Sequence, residues 1–140
     1  MTARMNNSQG LHLLRGVSLA LVRESRPEGL ADLSMRQLSI LTIVYLEAPP
    51  HTVRGLAAKL GVTKPVITRA LDSMGKAGLV SRRRDAADKR NVIIQRTVKG
   101  ALYLESVGDM VCAKVNGDGV GGAAHGGALE RDAQPDGLLK

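Results

Sequence analysis

The stretch from Thr52 to Gly78, TVRGLAAKLGVTKPVITRALDSMGKAG, constrains the fold more than any other part of the chain. It reads as two short helices joined by a tight turn. Thr52 can cap the first with its hydroxyl, and Leu56, Ala57 and Leu60 then fall on one face. Gly61 can take the left-handed conformation that ends a helix, and Val62 is a small apolar plug for the turn. Thr63 can cap the second helix, with Pro65 in its first turn, where a missing N–H costs nothing. Ile67, Ala70, Leu71 and Met74 recur at three- and four-residue spacing and so face inward. Lys64, Thr68, Arg69 and Asp72 are left on the opposite face. The pattern predicts a helix-turn-helix.

The residues beyond this motif narrow the fold further. Gly78 ends the second helix, and Leu79 and Val80 lead into a strand whose continuation, Ser81 to Arg84, is strongly basic. DAADKR (Asp85 to Arg90) is a turn, and Asn91 to Thr97 alternates as a returning strand. A helix-turn-helix running directly into a basic hairpin predicts a winged helix. The expected fold is mainly α with a small β-hairpin wing, flanked by an N-terminal helix and one C-terminal helix.

The segment ITRALDSMGKAGLVSRRRDAADKRNVIIQRTVKG resembles the core of the MarR-type bacterial transcription regulators. That family runs its recognition helix into a "GLV-x-R" strand, a wing containing Asp-x-Arg, and a strand ending in "T-x-x-G". The matching elements are Gly78-Leu79-Val80-Ser81-Arg82, Asp88-Lys89-Arg90 and Thr97-Val98-Lys99-Gly100, and the likeness covers about residues 33–107. The resemblance implies that Arg90 enters a minor groove and that Asp88 helps hold the wing. It also implies that the first helix packs with the C-terminal helices of both subunits in a homodimer.

Charge points the same way. Residues 51–100 carry twelve basic and three acidic groups, against five and four in residues 1–50 and three and six in residues 101–140. Positive charge gathered on the winged-helix segment is the footprint of phosphate contact, because neutralising phosphates releases condensed counterions. The bland alternative is a solvated basic surface. On the second motif helix, Lys64, Thr68, Arg69 and Thr63 stand where a helix meets base edges. Arginine can donate two hydrogen bonds to a guanine edge, and threonine can offer its methyl to thymine. Thr63 is equally a pure cap, and Arg69 could instead pair with Asp72 three residues on. On the wing, Arg82, Arg84, Asp88, Lys89 and Arg90 complete the candidate DNA-binding set. Strand alternation sends neighbouring side chains to opposite faces, so not all of Arg82 to Arg84 reach DNA, and one could pair with Asp85 or Asp88. Asp88 could also be an ordinary turn residue bonding its own backbone.

Elsewhere the chain offers a frame for this motif. Residues 1–8 are polar and expected to be flexible, and Gln9 to about Ser25 is a helix with an apolar stripe of Leu13, Val17, Ala20 and Leu21. After a connector broken by Pro27 and Gly29, Ser34 and Gln37 form a capping box for a largely buried helix, stopped by Pro49 and Pro50. Between Pro50 and the next helix, His51 and Thr52 leave little room for a strand. Thr97 caps a final helix to about Lys114, interrupted at Gly108. Domain organisation is thus a flexible 1–8, a winged-helix unit with flanking helices over 9–115, and a tail. Seven of the 25 residues in that tail, 116–140, are glycine, so it is expected to be disordered. The family usually extends this helix and adds another.

With Tyr45 and Tyr103 the sole aromatic side chains, the core must be aliphatic. One cysteine, no leader-like run and no segment of bilayer length suggest a soluble cytoplasmic protein. His12, His51 and His125 lack companions at metal-ligand spacing, so neither a catalytic site, a metal nor a cofactor is expected. GDGVGG (Gly117 to Gly122) follows no strand and lacks the Lys-Ser/Thr ending of a phosphate loop. Cys112 is a small hydrophobe on a helix stripe or, as in some relatives, a redox sensor. The leading expectation is a sequence-specific regulator of double-stranded DNA, by default a repressor, with any effector ligand open. The alternatives are a winged-helix protein-interaction module and a non-specific nucleoid binder.

Overall fold

The computed structural model of the protein describes residues 3–24, 27 and 32–117. The expected tail therefore lies outside the described residues from position 118 on. The chain divides into two compact units, one of Val22–Val107 and one of Met1–Leu21 with Gly108–Lys140.

The larger unit holds the winged helix. Its helices are α2 (Met35–Leu46), α3 (Val53–Leu60) and α4 (Lys64–Lys76), and it contains the start of α5 (Val98–Gly117). Strands β1 (His51–Thr52), β2 (Val80–Arg84) and β3 (Val92–Arg96) form an antiparallel sheet in the order β1-β3-β2. The sheet thus has one strand more than the expected hairpin. Two residues suffice for β1 because His51 and Thr52 lie opposite Ile94 and Ile93, after which Thr52 caps α3.

Each helix end is set by local chemistry. Ser34 and Gln37 exchange the two bonds of a capping box at the start of α2, 2.9 and 3.0 Å long. The Thr52 hydroxyl accepts from Gly55 N–H at 2.9 Å. At the α3–α4 turn Gly61 takes φ +66°, and the N–H groups of Gly61 and Val62 close back onto Ala58 and Ala57. Gly78 repeats the device after α4 at φ +78°, with Gly78 and Leu79 donating to Gly75 and Met74. One expectation fails here: Thr63 occupies the cap position of α4, but its hydroxyl makes no capping bond.

The core is aliphatic, as the composition demands. Ile40, Leu41 and Val44 of α2 and Ile67, Leu71 and Met74 of α4 are wholly buried, with Leu56 and Leu79 beside them. Burial of each such side chain is worth about 1.5–3 kcal/mol. Tyr45 stands at the edge of this core. Its hydroxyl accepts from Thr97 N–H at 2.9 Å and lies 2.7 Å from the Leu79 carbonyl, to which it can donate. The Thr97 hydroxyl donates to Gly78 at 2.6 Å while accepting from Gly100 N–H at 2.9 Å, capping α5. Gly100 is buried directly beneath: a Cβ there would overlap the Tyr45 hydroxyl and the Leu79 carbonyl oxygen.

In the smaller unit, α1 (Asn7–Arg23) opens two residues before the expected Gln9. Asn6 and Gln9 exchange reciprocal bonds of 2.9 Å that satisfy its first donors. Gly108 does not interrupt α5, which continues to Gly117. A single glycine costs a helix only about 1 kcal/mol, too little to break twenty residues. Cys112 is exposed rather than part of an inward stripe.

Candidate nucleic-acid interface

Helix α4 turns Ile67, Leu71 and Met74 into the core, which leaves Lys64, Thr68, Arg69 and Asp72 exposed on its other side. Thr63 is exposed at its N-terminus, with a hydroxyl not committed to a cap. The first-turn N–H groups of such a helix carry partial positive charge. Two bonds hold α4 to α2: Gln37 donates through Nε2 to the Ser73 hydroxyl at 2.7 Å and to the Ala70 carbonyl at 3.3 Å. Arg69 makes no pair with Asp72. It lines a shallow cleft of about 320 Å³ with Ser34, Arg36, Gln37, Val66, Ala70 and Ser73.

The three consecutive arginines of β2 go to three different places. Alternation sets Val80, Arg82 and Arg84 on one side of the strand and Ser81 and Arg83 on the other. Arg82 reaches Asp72 of α4, Nη1 to Oδ1 at 2.9 Å, so its partner is neither Asp85 nor Asp88. Arg84 donates to the Lys89 carbonyl at 2.8 Å and stiffens the wing tip. Arg83 projects beside Pro49, Pro50, His51 and Ile93 in a mainly apolar cleft of about 330 Å³.

The tip itself is held by its two aspartates. Asp85 Oδ1 accepts from Ala87 N–H at 2.9 Å, and Asp88 Oδ1 accepts from Arg90 N–H at 3.1 Å and from Arg90 Nε at 3.3 Å. Asp88 is therefore a turn-former bonding its own backbone, and it also orients Arg90. The Arg90 side chain remains 85% exposed, and Lys89 is exposed beside it. The sequence-predicted set thus separates into two exposed cationic surfaces, Lys64 with Arg69 on α4 and Lys89 with Arg90 on the tip. Arg82, Arg84 and Asp88 are engaged within the protein.

Sequence reasoning missed the residues that position this surface. Arg96 donates to the carbonyls of Val44 at 2.8 Å and Glu47 at 3.0 Å, placing a cation at the negative end of α2. Its guanidinium lies 6.0 Å from the Tyr45 ring centroid. His51, buried, also meets the Glu47 carbonyl, at 3.1 Å. Nothing local signals the Arg96 contacts, since Arg96 lies about fifty residues from its acceptors. Among the described residues no group of three or more His, Cys, Asp or Glu is placed to hold a metal ion, and no helix is long and apolar enough to cross a membrane.

Comparison with known proteins agrees with this geometry. Residues 33–92 match the model of the MarR family. The chain is similar to the HTH-type transcriptional repressor YetL of Bacillus subtilis (strain 168), 37% identical over 75 residues, which are 52% of this chain and 44% of YetL. The chain spans about half the length of the curated relatives it matches. Among solved structures it is similar to CouR from Rhodococcus jostii RHA1 bound to p-coumaroyl-CoA, with TM-score 0.58 and 28% identity over 90% of this chain and 83% of CouR. It is also similar to the MarR family transcription regulator SP03579, with TM-score 0.62 and 25% identity over 87% of this chain and 78% of the other.

Proposed function

We propose that this chain, whose residues 33–92 match the MarR family model, is a MarR-type winged helix-turn-helix protein and a sequence-specific transcription regulator of double-stranded DNA, acting as a repressor. In this reading α4 enters a major groove with Thr63, Lys64, Thr68 and Arg69, and the wing tip sets Arg90 and Lys89 in the flanking minor groove. The observation that carries it is the separation of cations. Lys64, Arg69, Lys89 and Arg90 are exposed on two projecting elements, while Arg82 and Arg84 are spent on holding those elements in place. Arginine in a narrow minor groove gains from its enhanced negative potential, and a helix in the major groove reads donor and acceptor patterns.

A homodimer on a pseudo-palindromic site belongs to the same proposal. Support comes from α1, which leaves Leu11, Leu14 and Leu19 exposed and so carries an apolar face in need of a partner. The protein would work in the cytoplasm and needs no catalytic step. By analogy with CouR, whose structure holds p-coumaroyl-CoA, a small-molecule effector is the expected release signal.

Selection of binding sites from a random DNA pool, with the mass in solution recorded in the same buffer, tests the reading. It expects an inverted repeat with half-sites about one helical turn apart and a dimer mass. No enrichment and a monomer mass would refute it and favour a protein partner. Tight binding without enrichment would favour non-specific coating of DNA.

A further inference from the structure

Asp72 is the one acidic residue of α4, and it lies on the face that otherwise carries Lys64, Arg69 and Lys76. A carboxylate there repels phosphate, so as a DNA contact it is out of place. The structure assigns it a different task. We propose that the Asp72–Arg82 pair is a brace that sets the wing relative to the recognition helix, and that it acts on sequence discrimination without either residue touching DNA. This rests on the DNA-binding function proposed for α4 and the wing.

The covalent link between α4 and β2 is short and contains a flexible point. Three residues, Ala77, Gly78 and Leu79, separate the two elements, and Gly78 supplies the turn at φ +78°. Apolar anchoring of the hairpin comes from Leu79 and Val80 at the base of β2 and from Ile94 of β3, with Val92 packed against the core. Beyond Val80 every residue of β2 is exposed. The bonds of Arg84, Asp85, Asp88 and Arg90 shape the tip internally and do not reach α4. Arg82 does. It stands two residues past the buried Val80, on the same side of the strand, and its guanidinium meets Asp72 at 2.9 Å with its side chain 32% exposed. The guanidinium also lies over Gly75, where a Cβ would sit 3.7 Å from Nη2. The pair closes a ring across the glycine turn, and the hairpin gains a second point of attachment to α4. Without the pair, β2 beyond Val80 would be held only through β3, and the tip would carry Arg90 over a wider range of positions relative to α4. A braced wing presents one spacing between the two cationic surfaces, and a fixed spacing rejects DNA whose groove geometry does not match it.

The brace and a simple charge effect predict different outcomes. Affinities for a selected site and for random-sequence DNA should be measured for the wild type, Asp72→Asn, Arg82→Gln and the reversed pair Asp72→Arg/Arg82→Asp. Asp72→Asn removes a negative charge, so random DNA should bind tighter, yet the ratio of selected to random affinity should fall about fivefold. Arg82→Gln should lower that ratio similarly, and the reversed pair should restore it. If Asp72→Asn tightens both DNAs by one factor with the ratio unchanged, Asp72 is a plain charge and the brace is wrong. If Arg82→Gln weakens both equally and lowers the salt slope by about one, Arg82 is a phosphate contact and the brace is wrong. A second arm needs no DNA: amide hydrogen exchange in β2 and the tip should speed up in both single variants and slow again in the reversed pair. Unchanged exchange refutes the brace. A wild type that binds no DNA selectively refutes the functional reading, and the exchange arm then decides the brace alone.

Discussion

Replacing Gly100 by alanine pits two rules of helix stability against each other. Gly100 lies in the first turn of α5, where alanine on propensity alone should stabilise by about 1 kcal/mol. The space around it predicts the opposite sign. A Cβ would overlap the Tyr45 hydroxyl and the Leu79 carbonyl oxygen, the second being backbone that cannot rotate away. Overpacking of this kind costs about 1–3 kcal/mol. If Tyr45 is pushed out, Thr97 N–H and the Leu79 carbonyl also lose a partner, at about 1–3 kcal/mol. The expected net effect is a loss of about 3 kcal/mol. Urea unfolding followed by circular dichroism at fixed protein concentration measures it. Gly108→Ala is the control, being helical with nothing within 4 Å of the added methyl, and it should stabilise by about 0.5–1 kcal/mol. Tyr45→Phe removes one of the two obstructing oxygens, so Tyr45→Phe/Gly100→Ala should lose less than the sum of the single changes by about 1 kcal/mol. A Gly100→Ala protein as stable as the wild type would refute the packing argument outright.

Other expectations are more modest. Ser34→Ala removes the acceptor of the α2 capping box and should cost about 1 kcal/mol in the same unfolding assay. Tyr103, partly buried, has its hydroxyl pKa raised from 10.0 by desolvation. The unfolded chain then loses this proton first, so its contribution to stability changes only as pH rises past about 10, where burial of the neutral phenol opposes ionisation and stability falls. Tyr103→Phe should therefore flatten the alkaline limb of stability against pH relative to the wild type, and identical limbs would contradict the assignment. In DNA binding, Arg90→Ala should weaken most sequences alike, while Arg69→Ala should also relax preference at one base pair, by about 1–3 kcal/mol. Site selection repeated with each variant distinguishes the two.

The parts of this fold that are legible in the sequence are those whose causes lie within a few residues. Thr52, Gly61, Gly78 and the Ser34–Gln37 box announce helix ends because cap and donor are neighbours. The apolar spacing from Ile67 to Met74 shows which face of α4 is free, and hence which side chains can meet DNA. Expectation and structure part where a local rule competes with a distant partner. Helical spacing offers Asp72 to Arg69, yet β2 delivers Arg82 to it from ten residues away. His51 and Thr52 are few for a strand, but β3 arrives some forty residues later with donors and acceptors in register. Counting cations finds the basic segment without distinguishing its free guanidinium groups from its struts. Arg82, Arg84 and Arg90 are chemically identical, and it is the fold that makes the first two struts and leaves Arg90 85% exposed at the tip.

The same distinction bears on how α2 holds α4 in place. Its apolar face, Ile40, Leu41 and Val44, provides most of the adhesion, but burial is non-directional and tolerates a helix that rotates or slides. Direction comes from polar ties at both ends. Gln37 holds the α4 backbone and Ser73 at one end, while Arg96 and His51 hold the last carbonyls at the other. Tyr45 joins the same helix to Leu79, at the root of β2, and to Thr97, at the root of α5. Each such bond is worth only about 1 kcal/mol in stability, a small part of what the core contributes. Their weight lies in geometry, because a turn of α2 about its axis would have to break or drag all of them together. Thr97, Tyr45, α2 and Gln37 thus make a continuous set of contacts from the start of α5 to α4. Thr97→Ala, which removes the cap of α5, should therefore speed amide hydrogen exchange in α4 as well as in α5, and exchange unchanged in α4 would refute the link.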